Sequence, residues 1–162
     1  MGEHVILGID PGYARMGWGV LKLSGGTPVT VECLGFGCVE TPKEEEMGTR
    51  LAYLNDALAQ IITHYQPNDI AIEELFFAKN QKTAMQVAHA RGVIMMRASM
   101  HSGRIFEYRP NVIKKAVAFD MKADKKQVMA AVTQILKFER APKLDDAADA
   151  LAIAITHATV AK

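Results

Sequence analysis

Five short apolar segments of the chain have the residue pattern that predicts β-strands. The first, residues 5–10, is apolar at nearly every position and ends at Pro-Gly, as expected for a strand buried on both faces. The others are residues 17–23, 29–39, 69–73 and 104–108. Because short turns separate the first three segments, we expect them to form an antiparallel meander that opens the sheet.

Five longer segments have the periodicity of α-helices, with apolar residues returning every three or four positions. They cover residues 44–65, 80–100, 110–119, 124–138 and 144–160. Strands come first and helices then alternate with strands, so the predicted fold class is α/β, a mixed sheet of about five strands flanked by helices. The chain has 162 residues without an internal repeat or a linker, and we expect a single domain over residues 1–162.

The segment 80–100 is apolar around most of its circumference, which is more than packing on one sheet face requires. Two accounts fit this pattern. The helix is either central and covered by neighbours from its own chain, or it is buried on its outer side against a second copy. The second account predicts a homodimer with a self-complementary interface.

Composition excludes several classes of protein. Hydrophobic residues make up 49% and charged residues 23% of the chain, which excludes a disordered protein. Two cysteines cannot form a disulfide framework, and Cys33 and Cys38, five apart in one predicted strand, are expected on opposite faces and unpaired. No apolar run reaches transmembrane length and the first residues do not resemble a signal peptide, which predicts a cytoplasmic protein without a membrane partner.

Carboxylates close two of the predicted buried strands. Asp10 is the one charge in segment 5–10, where it is either an Asx-turn residue or an acid with a chemical role. Glu73 and Glu74 come at the end of the fourth strand, where they are either solvated carboxylates or acids with a chemical role. Successive strand residues point to opposite faces, so only one of these two glutamates shares a face with Ala71.

A third acidic group opens the last predicted helix. Asp145, Asp146 and Asp149 fall within an arc of about 100° on that helix. One acid would suffice as an N-cap, whereas three repel one another unless a cation neutralises them. Oxygen ligands without Cys or His suit Mg²⁺ or Mn²⁺, and strand-end carboxylates with a helical D-x-x-D could hold two ions for phosphodiester hydrolysis. Spacing alone leaves open whether Asp145 or Asp146 joins Asp149.

Five motifs in the chain occur together in one known family: LGIDPG at residues 7–12, AIE at 71–73, F-x-AKN at 76–80, ARG at 90–92 and DAADALAIA at 146–154. They give the chain a resemblance to the RuvC family of bacterial Holliday junction resolvases. It extends over residues 5–157, nearly the whole chain. It implies an RNase H-like fold and a Mg²⁺-dependent endonuclease that cuts two strands of a four-way DNA junction symmetrically, in recombination and repair. It also implies a homodimer with a branch-migration helicase as partner.

The resemblance assigns roles to particular residues. The implied catalytic and metal-binding carboxylates are Asp10, Glu73, Asp146 and Asp149. Lys114 and Lys125 match lysines near the scissile phosphate, which makes Lys125 a candidate catalytic cation. Phe76 matches an aromatic residue that contacts bases at the centre of the junction. Lys126 is a further candidate for DNA binding, because it follows Lys125 at a helix start whose backbone N–H groups could also receive a phosphate.

The charge distribution agrees with a DNA-binding surface although the net charge of the chain is only +1. Residues 104–143 contain ten Lys or Arg and four Asp or Glu, a net charge of +6, which leaves −5 for the rest. This asymmetry predicts an acidic metal site beside a basic phosphate-binding surface.

Two loops depart from the family pattern. Residues 13–16 lack the Ser and Thr that are common after GIDPG, and residues 118–122 lack the glycines that usually precede the Lys125 helix. Neither departure removes a carboxylate. We therefore expect local geometry beside Asp10, and the properties of the second loop, to differ from those of relatives.

Three other functions are compatible with parts of the pattern. An RNase H-like nuclease could act on another branched DNA or on an RNA–DNA hybrid, and a junction-binding module could lack catalysis. The Asp-x-Gly turn also opens actin-like and sugar-kinase ATPases, but those folds need two lobes that 162 residues cannot supply. The intact set of carboxylates favours a nuclease.

Overall fold

The computed structural model describes residues 3–25, 29–75, 81–101 and 103–161, with the backbone alone for residues 81–83. The strands are β1 (His4–Asp10), β2 (Arg15–Ser24), β3 (Thr30–Glu40), β4 (Asp69–Glu73) and β5 (Arg104–Tyr108). The helices are α1 (Met47–Tyr65), α2 (Gln81–Ser99), α3 (Pro110–Ala118), α4 (Lys125–Ile135) and α5 (Asp145–Val160). The strands form one sheet in the order β3-β2-β1-β4-β5.

The predicted architecture is confirmed. The meander β1-β2-β3 is antiparallel, and β4 and β5 run parallel to β1, so the sheet is mixed. Element ends differ from the prediction by a few residues. α1 begins at Met47 rather than at 44, and α4 ends at Ile135 rather than at 138, because Lys137 takes a left-handed backbone conformation with φ 54° that no helix can continue through.

The predicted faces of β3 were wrong. We expected Cys33 and Cys38 on opposite faces, but they pair with Leu21 and Gly17 of β2, which share one face, the face that α5 covers. The cause is a β-bulge: the pairing skips Leu34, so β3 has one extra residue and the alternation restarts. Both thiols are free, as predicted.

Helices cover both faces of the sheet. On one face α3, α4 and α5 enclose a core that includes Ile6 of β1 and Ala71 of β4. On the other face α1 and α2 pack against Leu7 and Ile72 of the same two strands. Successive residues of β1 therefore enter opposite cores, which explains why this strand is apolar at nearly every position.

Glycines allow α5 to lie directly on β1 and β2. A Cβ atom at Gly8 would lie 2.2 Å from the carbonyl oxygen of Ala150, and one at Gly17 would lie 2.0 Å from that of Asp146. These distances are far inside van der Waals contact, so a larger residue at either position would push α5 off the sheet. Because Gly17 pairs with Asp10, the contact brings the start of α5 to the carboxyl end of β1.

The helix α2 has a buried side and an exposed apolar side. Ala90 and Ile94 are buried in the core that α2 shares with α1. Met85 and Met96 of α2, and Met100 just beyond its end, are 64%, 54% and 70% exposed, so the described neighbours from the same chain do not cover this outer side. Among the described residues, the exposed methionines do not fit the account of α2 as a helix enclosed by its own chain. No helix in the described ranges is long and apolar enough to cross a membrane.

Candidate active site

The carboxyl ends of β1 and β4 bring two acids side by side. Gly8 of β1 pairs with Ala71 of β4 in the parallel ladder, and Asp10 and Glu73 stand two residues further along each strand. Neighbouring strands lie about 4.8 Å apart, and residues separated by two positions share a face. Asp10 and Glu73 therefore end adjacent strands on the face that α5 covers.

The first turns of α5 add two further acids. The backbone of Asp146 packs on Gly17, and Asp149 follows one turn later on the same side of the helix. The side chains of Asp146 and Asp149 are 26% and 33% exposed, so both are partly open to solvent near the carboxyl end of β1. The fold thus gathers acids from β1, β4 and α5, which lie up to 139 positions apart in a chain of 162 residues.

The sequence left the roles of two further acids open. Asp145 is exposed at the start of α5, and its charge raises the pKa of Asp149 but is not among the charges that raise the pKa of Asp10. The carboxylate of Glu74 accepts a hydrogen bond from Arg109 Nε at 2.8 Å, next to β5 rather than beside Asp10. The geometry therefore groups Asp146 with Asp149, and Glu73 with Asp10.

Electrostatic repulsion links the four carboxylates. Burial, followed by the charges of Glu73, Asp149 and Asp146, raises the pKa of Asp10 to about 8. Burial and then the charge of Asp149 raise the pKa of Glu73. Burial also raises the pKa of Asp149 itself. Near neutral pH the site therefore favours either a bound proton or a bound cation.

Two lysines face these acids. Lys125 Nζ lies 3.5 Å from Asp149 Oδ2, and the charge of Asp149 raises the pKa of Lys125. The charges of Lys125 and Lys114 both counteract the rise in the pKa of Glu73. Lys126 is exposed at the next position of α4. Its charge is not among the causes that shift the pKa of Asp10, Glu73 or Asp149.

The start of α4 has less capacity for a phosphate than its sequence indicates. Asp124 is the N-cap, and its carboxylate accepts the backbone N–H of Gln127 at 2.9 Å. The Gln127 side chain in turn accepts the backbone N–H of Asp124 at 2.8 Å. This capping box uses two backbone donors and places a negative charge at the helix start, so the lysine side chains carry more of any phosphate contact.

Two residues that the sequence did not predict hold Asp146. Arg15 Nη1 lies 3.4 Å from Asp146 Oδ2, and Cys38 Sγ donates to the same oxygen at 3.8 Å. Burial, and then the charge of Asp146, raise the pKa of Cys38 to about 11, which keeps the thiol protonated as a donor. For Arg15, the unusual turn at residues 13–16 was a signal in the sequence. For Cys38 there was none, because the strand pattern places Cys38 on the wrong face.

The predicted base-contacting residue Phe76 lies outside the described residues, so its role stays a prediction. The predicted phosphate-binding residues Lys114, Lys125 and Lys126 belong to α3 and α4, which pack in the same layer as α5. The basic segment and the acidic group therefore lie on one side of the sheet, as the charge distribution indicated.

A second cluster of titratable residues lies at the opposite end of the sheet. His4 Nε2 and His157 Nε2 lie 2.7 and 2.9 Å from Asp69 Oδ2. Arg104 Nε donates to Asp69 Oδ1 at 2.9 Å. His4 and Asp10 are the two ends of β1, so this cluster lies about 20 Å from the acids.

In the part of the chain that is described, this is the one group of three such residues whose ligand atoms lie within 4.8 Å of one another. Its hydrogen bonds are already complete, because Arg104 neutralises Asp69 and the Tyr108 hydroxyl bonds His157 Nδ1 at 2.8 Å. We interpret it as a structural network that fastens the end of α5 to the sheet. The four acids at the other end stay further apart, as expected for like charges.

Substitution of Asp69 by Asn is expected to destabilise the fold by about 3 kcal/mol, because it leaves the buried His157 without its anionic partner. Burial raises the pKa of Asp69, but hydrogen bonds from His157, Arg104 and His4 outweigh burial and lower it below 3.8. The stabilisation is therefore present above pH 4 and is lost as pH falls through the lowered pKa. Urea unfolding at pH 7 and pH 3 measures both effects.

The exposed Asp56 of α1 provides the matched control. Asp56→Asn should change the free energy of unfolding by less than about 0.5 kcal/mol. If Asp69→Asn were as mild as this control, the network would not stabilise the fold.

The chain is similar to proteins of known family. Residues 6–157 match the family model described as crossover junction endodeoxyribonuclease RuvC. The chain is 42% identical over 153 residues to the crossover junction endodeoxyribonuclease RuvC of Natranaerobius thermophilus, covering 94% of this chain and 93% of the relative.

Solved structures agree with this match. The structure of Thermus thermophilus RuvC is similar with a TM-score of 0.88 and 32% identity, covering 97% of this chain and 95% of that one. Thermus thermophilus RuvC in complex with a Holliday junction substrate is similar with a TM-score of 0.86 and 30% identity, covering 97% and 94%. The predicted RNase H-like fold is thereby confirmed, and the chain belongs to the RuvC family of metal-dependent crossover junction endodeoxyribonucleases.

Proposed function

We propose that this protein resolves four-way DNA junctions by Mg²⁺-dependent hydrolysis of one phosphodiester bond in each of two strands. The observation that carries the proposal is the group of four carboxylates that β1, β4 and α5 bring together, in which burial and the charges of the other three acids raise the pKa of Asp10 to about 8. A fold that holds like charges together loses stability, which a bound cation restores. The similarity to a relative bound to a Holliday junction substrate supports the choice of substrate.

We assign four catalytic metal ligands: Asp10, Glu73, Asp146 and Asp149. Their donor atoms are all carboxylate oxygens, which suit Mg²⁺ and also admit Mn²⁺. Two ions bound there would supply an activated water and stabilise the leaving oxygen. The strand-end pair is rigid because each acid is the last paired residue of its strand, whereas the helical pair depends on the position of α5.

Residues around the acids orient them and bind the DNA backbone. Arg15 and Cys38 contact one oxygen of Asp146, which leaves the other oxygen of that carboxylate to face a ligand. We propose Lys125 as the catalytic cation near the scissile phosphate and Lys114 as a phosphate-binding neighbour. Lys126 would contact DNA without acting on the chemical step. From the resemblance alone, we propose that Phe76 contacts bases at the junction centre.

The substrate test is a cleavage assay with the complete protein on a synthetic four-way junction, a linear duplex of the same sequence and an RNA–DNA hybrid. We expect paired nicks at symmetric positions of the junction with Mg²⁺ or Mn²⁺, and binding without cleavage in Ca²⁺. Equal cleavage of the linear duplex or the hybrid would indicate a nuclease of different specificity. Junction binding without cleavage in any divalent cation would leave a binding module.

We also propose a homodimer, because paired symmetric nicks require two sites related by a two-fold axis. The exposed methionines of α2 support this surface, since large apolar side chains exposed together are typical of subunit interfaces. From the family resemblance, we further propose that the single nuclease domain acts in the cytoplasm together with a branch-migration helicase.

Met96→Glu is expected to convert the dimer into monomers that keep the fold, because Met96 is 54% exposed and tolerates a charge in the monomer. Sedimentation velocity measures the mass, and thermal unfolding checks the fold. Gln60→Glu, on the exposed side of α1, is the matched control and should stay dimeric. A dimer that persists in Met96→Glu and in Met85→Glu would place the interface elsewhere.

A further inference from the structure

We infer that Phe119 is a base-stacking residue that contacts an unpaired base of the DNA beside the phosphate-binding lysines. The inference rests on the proposed function and extends it, because it gives the protein a second aromatic contact outside the predicted position of Phe76. It concerns the loop between α3 and α4, residues 119–124, which contains no glycine.

Phe119 occupies an unfavourable position in two respects. It ends α3 in the left-handed backbone conformation, with φ 58°, where helices usually have Gly or Asn. Its side chain is 90% exposed, more than any other large hydrophobic residue in the described chain. Gly or Asn would avoid both the backbone strain and the exposed ring, so packing and stability do not explain this phenylalanine.

The loop that presents Phe119 is held by its own hydrogen bonds. The backbone N–H of Lys122 donates to Asp120 Oδ1 at 2.9 Å, and that of Ala123 donates to the Asp120 carbonyl oxygen at 3.2 Å. Ala123 is buried in the core below, and the capping box of α4 follows at once. The ring therefore projects from an ordered loop. Because the loop is already ordered, a stacking contact costs less conformational entropy.

Both ends of the loop lead to the acidic group. Lys114, one helical turn and a half before Phe119, counteracts the rise in the pKa of Glu73, and Lys125, six residues after it, lies 3.5 Å from Asp149. Residues 114–126 contain five lysines and two aspartates, a net charge of +3. An exposed aromatic ring among cationic side chains is the arrangement with which proteins bind unpaired nucleotides.

The surroundings favour DNA over a protein partner at this loop. Lysine is depleted in protein–protein interfaces, whereas it is enriched where a surface follows a phosphate backbone. Met121, the other exposed apolar residue of the loop, is 54% exposed and is flexible enough to pack beside an unstacked base. We therefore assign the loop to the junction DNA, at the side of the site where a strand is cut.

The test compares Phe119→Asn, which accepts the left-handed conformation but lacks the ring, with Phe119→Trp, which keeps an aromatic ring. We measure junction affinity in Ca²⁺, its dependence on salt, and the fluorescence of 2-aminopurine placed at successive positions around the cleavage site. Phe119→Asn should weaken binding about tenfold, equal to about 1.4 kcal/mol, and should abolish the quenching of one labelled base. The salt slope should not change, because no charge is removed.

Controls separate stacking from folding and from the proposed function. The melting temperature of Phe119→Asn should equal or exceed that of the unchanged protein, because the backbone strain is relieved. Tyr53→Asn removes a half-exposed ring from α1, on the other side of the sheet, and should not alter junction affinity. Unchanged affinity and fluorescence in Phe119→Asn would overturn the stacking contact alone. Absence of junction binding by the unchanged protein would overturn the proposed function and the stacking contact together.

Discussion

Asp10→Asn is expected to reduce junction cleavage at least about a thousandfold, equivalent to about 4 kcal/mol of transition-state stabilisation. Asp10 ends the central strand beside Glu73 and experiences the charges of all three other acids, so its loss removes a ligand and changes the charge of the whole group. The side chain keeps its size, and junction affinity in Ca²⁺ should therefore change far less than the rate. Single-turnover cleavage and equilibrium binding measure the two quantities.

The same substitution should stabilise the metal-free fold above neutral pH. The pKa of Asp10 in the fold is about 8, far above its usual value of 3.8, so the folded protein binds a proton that the unfolded chain has released. The free energy of unfolding therefore falls as pH rises from about 4, where Asp10 ionises in the unfolded chain, to about 8, where it ionises in the fold. Thermal unfolding between pH 5 and pH 8 should show a smaller loss in Asp10→Asn than in the unchanged protein.

Added Mg²⁺ provides the complementary measurement. It should raise the melting temperature of the unchanged protein at pH 8, because ligand binding to the folded state shifts the equilibrium, and should raise that of Asp10→Asn less. Asp56→Asn, on the exposed side of α1, should behave like the unchanged protein in both respects. Full cleavage by Asp10→Asn, or an identical response to Mg²⁺, would contradict the role of Asp10 as a ligand.

The parts of the fold that the sequence predicted are those that local pattern determines. Each strand and helix has its own periodicity. The acids at the ends of buried strands stand out because a charged residue is unusual in a segment that is otherwise apolar and shielded from solvent. The sheet order places the carboxyl ends of β1 and β4 together, and the glycines at positions 8 and 17 allow α5 to reach them. The positions of Asp10 and Glu73 at strand ends were therefore predictable before the topology was known.

The parts that the sequence did not predict depend on non-local pairing. One extra residue at Leu34 reverses the faces of β3, and it brings Cys38 to Asp146. Asp69 and His157 are 88 residues apart, and no periodicity links them before the sheet and α5 are assembled. A pattern within one segment cannot reveal a bulge or a contact of this kind, because both depend on the partner strand or helix.

The choice between the neighbouring acids Asp145 and Asp146 shows what the structure adds to the sequence pattern. Helical spacing could not separate Asp145 from Asp146, because both lie within one arc of the first turn. The contact between the Asp146 backbone and Gly17 separates them in the fold, since it fixes the rotation of α5 on β2. Our proposal of Asp146 as a ligand rests on this contact and on the family motif.

Lys125→Ala is expected to reduce single-turnover cleavage about a hundredfold, equivalent to about 2.7 kcal/mol. Lys125 Nζ lies 3.5 Å from Asp149 Oδ2, so the ammonium group stands at the edge of the acidic site where a phosphate would enter. Charge on the phosphate oxygens shifts as the bond breaks, and a cation placed there stabilises the transition state more than the bound substrate. Junction affinity should fall far less, because one phosphate contact changes the salt slope by only about one unit.

Lys126→Ala is the matched control, because it removes the same charge from the adjacent position of α4. Its side chain points about 100° away around the helix, and its charge is not among the causes that shift the pKa of Asp10, Glu73 or Asp149. We expect its cleavage rate at saturating Mg²⁺ to stay close to that of the unchanged protein, with a salt slope reduced as in Lys125→Ala. Equal losses of rate in the two variants would mean that the lysines act as a diffuse basic surface. A loss confined to Lys125→Ala, with similar affinities for both, would place its ammonium group at the reacting phosphate, because only position differs between the two charges.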